Sequence, residues 1–166
     1  MLLQFNLSSC LPAWPFVLFG VIEPLLLVWA YINFLQDPFE YFAAQTPNYA
    51  ITRDGFTPQA EALSWQMANV LLLLAPMALI CCWTKHREVA VWYLIAVGFA
   101  DIGHVYAVYR GVGSEYFWNF AGYNDMTAGN VGASVFLNIN RWLTVLGVFG
   151  TIGGGGGKAH HEKKSA

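Results

Sequence analysis

Residues 89–109 read VAVWYLIAVGFADIGHVYAVY, an almost uninterrupted apolar stretch with Asp101 and His104 near its middle. A helix of this length can cross a bilayer, because the hydrocarbon core needs about 20 residues at roughly 1.5 Å rise per residue. Asp101 and His104 lie one helical turn apart and therefore project from the same side of the helix. A carboxylate and an imidazole at this depth are costly unless they face a partner, a cavity or a ligand. The stretch therefore predicts a membrane-spanning helix that carries a polar site.

The composition extends the membrane prediction to the whole chain. Of its 166 residues, 57% are hydrophobic and 11% are charged, whereas soluble domains have roughly 25% charged residues. The formal net charge of −2 offers no basic surface, so nucleic acid is not an expected partner. The cysteines have neither zinc-site nor disulfide-framework spacing, which leaves free thiols or acylation sites as readings of Cys10, Cys81 and Cys82.

The apolar runs predict an all-α fold, a polytopic bundle of four transmembrane helices within residues 1–150. The four spans cover about residues 13–35, 63–83, 89–109 and 130–150. Residues 151–166 are predicted to form a flexible glycine linker and a polar tail.

The three connections between the spans are predicted to be loops. Residues 36–62 are rich in turn formers, with one short amphipathic helix expected at about residues 38–44. Residues 84–88 form a tight turn, which makes the second and third spans antiparallel neighbours. Residues 110–129, which hold aromatic residues and glycines, are expected to lie in the headgroup region or over a cavity.

Lysine and arginine predict the orientation. Five of these residues lie in the second connection or the tail, namely Lys85, Arg87, Lys158, Lys163 and Lys164. The opposite side has Arg53 and Arg110 among six acidic residues, so both termini are predicted to be cytosolic. The final KKSA resembles a dilysine retrieval signal and predicts an endoplasmic-reticulum membrane protein, with a solubilising lysine-rich tail as the alternative.

Polar residues also occur in the other predicted spans. Glu23 precedes Pro24, which has no N–H and so leaves the carbonyl of Gly20 without its helical partner. The fourth span has polar residues at steps of four, four and three that form one stripe, namely Asn130, Ser134, Asn138 and Arg141. Alternating helix direction places Glu23, Asp101 and Arg141 near the midplane, and Asn69, His104 and Asn138 somewhat to the luminal side.

Two interpretations of this polar layer remain open. In the first, Arg141 pairs with Asp101 or Glu23, and the amides join neighbouring helices through bonds worth about 1–2 kcal/mol each. In the second, the carboxyl group that Arg141 does not neutralise holds a proton for a substrate. The catalytic candidates are then Glu23, Asp101 and His104.

A buried acid that protonates an alkene can start an isomerisation or a cyclisation, with aromatic faces stabilising the carbocation. The candidates for binding such a substrate are Asn69, Asn138, Arg141, Trp29, Tyr106 and Trp142. Ordinary packing would equally account for the three aromatic residues. No cofactor or metal is predicted, because His104 is the only histidine at membrane depth and zinc usually takes more nitrogen or sulfur ligands.

The motifs together resemble an uncharacterised family of small fungal membrane proteins, over nearly all of the chain except the glycine linker and tail. They are Ile22-Glu23-Pro24, Gln66-x-x-Asn69, Asp101-x-x-His104 and Gly129-Asn130-x-Gly132 with Arg141. This resemblance implies no activity. Four helices with buried acids more distantly resemble the emopamil-binding (EXPERA) superfamily and fungal membrane-bound terpene cyclases. The isomerase motif of that superfamily does not align residue by residue, so no catalytic role is transferred.

The sequence therefore predicts an endoplasmic-reticulum membrane protein with a buried acidic pocket for an isoprenoid or sterol-like lipid. The reaction favoured by the distant resemblance to the emopamil-binding superfamily and the terpene cyclases is acid-initiated isomerisation or terpene cyclisation. The alternative is a non-catalytic lipid-binding or scaffold protein whose polar residues only hold the helices together. Expected partners are membrane lipids and a hydrophobic small molecule.

Overall fold

The computed structural model describes residues 9–154, and within this range every regular element is helical. Helices α1 and α2 are joined through a π-helical turn, Leu18–Ile22, into one continuous segment, Ala13–Gln36. The six α-helices are α1 (Ala13–Val17), α2 (Glu23–Gln36), α3 (Pro38–Ala43), α4 (Pro58–Cys82), α5 (Arg87–Phe117) and α6 (Asp125–Val145). The prediction of an all-α fold is confirmed.

Three helical segments are long and apolar enough to cross a bilayer: Ala13–Gln36, Pro58–Cys82 and Arg87–Phe117. The chain is thus a multi-pass membrane protein by the length and composition of its helices. Helix α6 has 21 residues but does not belong to this set, because its stripe of polar residues lowers its hydropathy.

The beginning and the end of the described chain meet at the same end of the bundle. The backbone N–H of Gly153 donates to the carbonyl of Cys10 at 2.7 Å, and the N–H of Cys10 donates to the carbonyl of Thr84 at 2.8 Å. We call this end, formed by residues 9–12, 83–87 and 146–154, the proximal end. The long helices therefore run alternately away from it and back towards it.

The opposite, distal end is covered by the connection between α2 and α4. Asp37 caps α3 by accepting hydrogen bonds from the backbone N–H groups of Phe39 and Glu40, which confirms the predicted short helix. A hydrogen bond from Arg53, at 2.5 Å, holds the pKa of the Asp37 carboxyl below its usual value. The Asn48 side chain donates to the carbonyl of Val112 at 2.8 Å, so this connection lies against the end of α5.

The third connection is much shorter than predicted. Helix α5 continues to Phe117 across a kink at Gly113, whose φ of 78° lies in the region that favours glycine. Helix α6 begins at Asp125, where the Asn124 side chain caps it by accepting from the N–H of Thr127 at 2.8 Å. The prediction of a loop over residues 110–129 is therefore wrong outside residues 118–124. The aromatic residues that suggested a loop instead pack around the end of a helix.

The last described residues pack against the proximal end of the bundle. Ile152 is only 5% exposed and packs with Leu11, Cys10 and Tyr93 in the main hydrophobic cluster. Residues 151–154 thus contact the bundle, and the flexible linker and polar tail over residues 151–166 stay a prediction. The polar tail and its KKSA sequence lie outside the described residues.

The bundle is built from two helix pairs, α2 with α4 and α5 with α6. The two helices within each pair pack closely along one another, whereas fewer contacts join one pair to the other. At the proximal end, Pro24 leaves the carbonyl of Gly20 free, and the indole N–H of Trp83 donates to it at 2.8 Å. A Cβ at Gly20 would lie 3.2 Å from this indole nitrogen, so the glycine permits the approach. The free carbonyl predicted from Pro24 is thus bonded to the end of α4.

Replacing Trp83 with phenylalanine tests this contact. The substitution keeps the ring that packs on Phe16 at 4.7 Å but removes the donor to Gly20. We expect a loss of about 1–3 kcal/mol of stability, because a carbonyl in an apolar site loses its partner. Unfolding in detergent micelles measures it, with Trp92→Phe as the exposed control. Equal stability of the two variants would contradict the assignment.

Candidate functional site

The centre of the bundle is an ionic trio formed by Arg141, Glu23 and Asp101. Arg141, on α6, is 1% exposed, and its Nε donates to Asp101 Oδ2 at 2.9 Å. Its Nη2 donates to Glu23 Oε1, and its guanidinium lies over the ring of Phe19 with 4.7 Å to the ring centroid. One side chain therefore connects α5 and α6 with the first helical segment.

The local sequence explains how each member reaches the centre. Glu23 follows the π-helical turn, which adds a residue to one turn and so changes the direction in which the following side chains project. Asp101 lies in the middle of α5, and Arg141 ends the polar stripe of α6. Arg141 was expected to pair with one of the two carboxylates, and the structure places it on both.

The trio has an uneven charge balance. Two carboxylates and one guanidinium sum to −1 when all are ionised, so the group becomes neutral when it holds one proton. Glu23 Oε2, Arg141 Nη1 and the hydroxyl of Tyr93 are buried and have no hydrogen-bond partner within residues 9–154. The trio therefore retains hydrogen-bonding capacity that its own contacts do not use.

An open groove with a volume of about 430 Å³, called the cavity below, lies between α5 and α6 on the outer surface of this helix pair, beside Asp101. Its volume falls within the range of roughly 300–1,000 Å³ that is typical of small-molecule sites. Its walls are mostly apolar and are formed by Asp101, Ile102, Val105, Tyr106, Tyr109, Phe117, Trp118, Ser134, Val135, Asn138 and Ile139. Asp101 is the residue common to the trio and the cavity.

Two other predicted residues also lie at this cavity. The side-chain nitrogen of Asn138 donates to the carbonyl of Gly98 at 2.6 Å, which bonds α6 to α5 and leaves the Asn138 side-chain oxygen free of that contact. Tyr106 is largely exposed, and its hydroxyl accepts a hydrogen bond from Arg110 at 3.3 Å. Both side chains are placed to contact a molecule in the cavity.

The remaining predicted residues lie elsewhere. Glu23 is buried in the trio but does not line the cavity. Trp142 packs against Phe99 at 5.5 Å, while Trp29 is 64% exposed on α2. His104 lies beside Asn130, and both His104 and Asn69 are exposed side chains outside the cavity wall. The nine predicted residues therefore do not form one site.

Some cavity residues and some buried polar contacts were not predicted from the sequence. Asn140 accepts a hydrogen bond from the indole of Trp14 at 3.0 Å, which ties the start of the first segment to α6. The apolar positions that follow Asp101 at helical spacing could have been found from the periodicity of α5. Phe117 and Trp118 could not have been found from the periodicity, because the sequence suggested a loop at these positions. Within residues 9–154, no group of histidine, cysteine or acidic residues is arranged to hold a metal ion.

The fold and the trio define a class: a multi-pass helical membrane protein whose core holds an ionic cluster beside an apolar cavity. Residues 8–151 match the family described as Domain of unknown function (DUF7704), and the chain belongs to it. This confirms the predicted membership of an uncharacterised family. No curated protein and no solved structure matched the chain.

Arg141→Met tests the energetic role of the trio. Removing the guanidinium leaves two carboxyl groups buried without their cation, and we expect a loss of about 3–5 kcal/mol of stability. The triple variant Glu23→Gln, Asp101→Asn, Arg141→Met removes the charges together and should recover most of it. Unfolding in detergent provides the measurement, with exposed Arg110→Met as the control. A single variant no less stable than this control would contradict a structural role for the trio.

Proposed function

We propose that this protein binds a hydrophobic small molecule, of isoprenoid or sterol-like kind, in the cavity between α5 and α6. The observation that carries the proposal is the position of Asp101, which bonds Arg141 on one side and lines the cavity on the other. An apolar cavity with a few convergent polar groups is the usual form of a small-molecule site. Here those groups are Asp101, Ser134 and Asn138.

The cavity wall also supports entry from the membrane. Ile102, Tyr106 and Ile139 line the cavity and are themselves more than half exposed on the outer surface of the helix pair. In a bilayer this surface faces lipid rather than water. A ligand that partitions into the hydrocarbon therefore reaches the cavity sideways, without crossing an aqueous phase.

Acid-initiated chemistry on the bound molecule is the second candidate, favoured by a carboxyl group next to the aromatic rings of Tyr106, Tyr109 and Trp118. Asp101 gives its proton to one carbon of an alkene, whose π electrons form the new C–H bond and leave a carbocation on the other carbon. The carboxylate then removes a proton from an adjacent carbon, which moves the double bond and restores the acid. Glu23 acts on Asp101 through Arg141 and is a positioning residue.

We also propose that the chain crosses the endoplasmic-reticulum membrane four times, with both termini in the cytosol. Helix α6 packs along α5 and, with 21 residues, is about 30 Å long, which suffices to cross the hydrocarbon core. Lys85 and Arg87 lie at the proximal end, as the positive-inside rule expects of a cytosolic side. A fungal source and the likeness to the emopamil-binding superfamily stay predictions from the sequence.

Glycosylation mapping tests the topology. An acceptor sequence inserted beside Arg53, in the distal connection, is expected to be glycosylated in microsomes, because that side faces the lumen. An acceptor added after residue 166 is expected to stay unmodified. A gel shift measures the modification of both acceptors. If only the tail acceptor is modified, the proposed orientation is wrong.

Lipid mass spectrometry of the detergent-purified protein tests the binding function. Ile139→Trp places a large side chain in the cavity wall, and we expect at least a tenfold loss of co-purified isoprenoid or sterol-like lipid. The matched control is Ile32→Trp on the exposed face of α2, which should retain the lipid. Equal lipid content in the two variants would exclude the cavity as the site.

The same preparations separate binding from catalysis. If the protein is an enzyme, Asp101→Asn abolishes conversion of a bound alkene while the Ile32→Trp control converts it normally. If candidate alkenes bind but are never converted, the protein is a lipid-binding protein and not an enzyme.

A further inference from the structure

We propose that the polar end of the ligand is an uncharged hydrogen-bond donor, a hydroxyl group, and that the cavity disfavours carboxylate and diphosphate ends. This rests on the proposed binding function and specifies the chemical class of its ligand. It follows from which polar groups line the cavity and from where the positive charge of the trio lies.

The polar groups at the inner end of the cavity mainly offer acceptors. Asp101 uses Oδ2 to accept from Arg141, and a carboxylate has lone pairs for further hydrogen bonds. Asn138 has its side-chain nitrogen committed to the carbonyl of Gly98, so its side-chain oxygen remains to accept from a ligand. Ser134 can donate or accept. When Asp101 is ionised, a ligand hydroxyl supplies the donor that Asp101 and the free side-chain oxygen of Asn138 both lack.

The cation of the trio is out of reach of the cavity. Arg141 is 1% exposed and does not line the cavity, because the carboxylate of Asp101 lies between them. Among the described residues that line the cavity, none is a lysine, an arginine or a histidine. An anionic end would therefore enter an apolar site next to a carboxylate, with no cation to offset the cost of its desolvation.

The positions of the lining residues along α5 indicate the direction of the ligand. Asp101 and Tyr109 are about 12 Å apart along α5, and Phe117 and Trp118 continue the wall towards the distal end. The hydroxyl thus lies near the middle of the bundle, and the apolar chain extends towards the aromatic residues. Among the described residues, Arg110 offers an anion a cation towards the opposite end, where it donates to the hydroxyl of Tyr106 at 3.3 Å.

Competition binding with three probes that share one C15 chain tests the proposal. Tritiated farnesol bound to the purified protein in neutral detergent is displaced with farnesol, farnesoic acid or farnesyl diphosphate. We expect farnesol to bind at least tenfold more tightly than either anion. The substitution Asp101→Asn removes the negative charge at the inner end of the cavity. It should reduce the ratio of the farnesoic acid Kd to the farnesol Kd by about tenfold. Asp54→Asn, in the distal connection, makes the same chemical change outside the cavity and should leave the preference intact.

A second variant keeps the test independent of the trio. Asn138→Leu removes the other acceptor while Asp101 and Arg141 keep their contact, and farnesol affinity should fall. If an anionic probe binds as tightly as farnesol, and loses affinity in Arg110→Gln, the ligand lies in the opposite direction and the inference is overturned while the binding function stands. If none of the three probes binds, the inference and the proposed function both fail for this lipid class.

Discussion

The burial of Arg141 between two carboxylates is the constraint on which the rest of the structure depends. A guanidinium that is 1% exposed in a membrane bundle has no water to solvate it, so its partners must come from other helices. Asp101 comes from α5 and Glu23 from the first segment, so the ion contacts are also one of the links between the two helix pairs. Removing any one of the three charged groups leaves the other two buried with fewer partners, which lowers the stability of the fold.

The backbone around Glu23 is shaped to satisfy this constraint. The π-helical turn at Leu18–Ile22 and Pro24 interrupt the regular hydrogen bonds of the first segment directly beside the carboxylate. The interruption is stable because Trp83 bonds the free carbonyl of Gly20. The irregular backbone is thus placed where a neighbouring helix can satisfy it, as a membrane requires.

The sequence allowed the members of the trio to be predicted, because Glu23, Asp101 and Arg141 are ionisable residues in otherwise apolar runs. It could not show that Arg141 reaches both acids, since that depends on how far each helix is rotated. The end of α5 was mispredicted because glycine and aromatic residues are common in loops, whereas here Gly113 forms a kink and Phe117 packs into a cluster. An acidic pocket was predicted, but its position and walls could not be, since they are defined by the facing surfaces of α5 and α6.

The two acids of the trio differ in a way that separates a structural from a functional interpretation. The guanidinium of Arg141 bridges Glu23 and Asp101 by donating to both carboxylates. Glu23 is enclosed by protein, whereas Asp101 borders the cavity between α5 and α6. A purely structural ion pair would need only one carboxylate for one arginine. The second carboxylate adds a negative charge that burial disfavours, and a bilayer protein retains such a charge most readily where a ligand or a proton meets it.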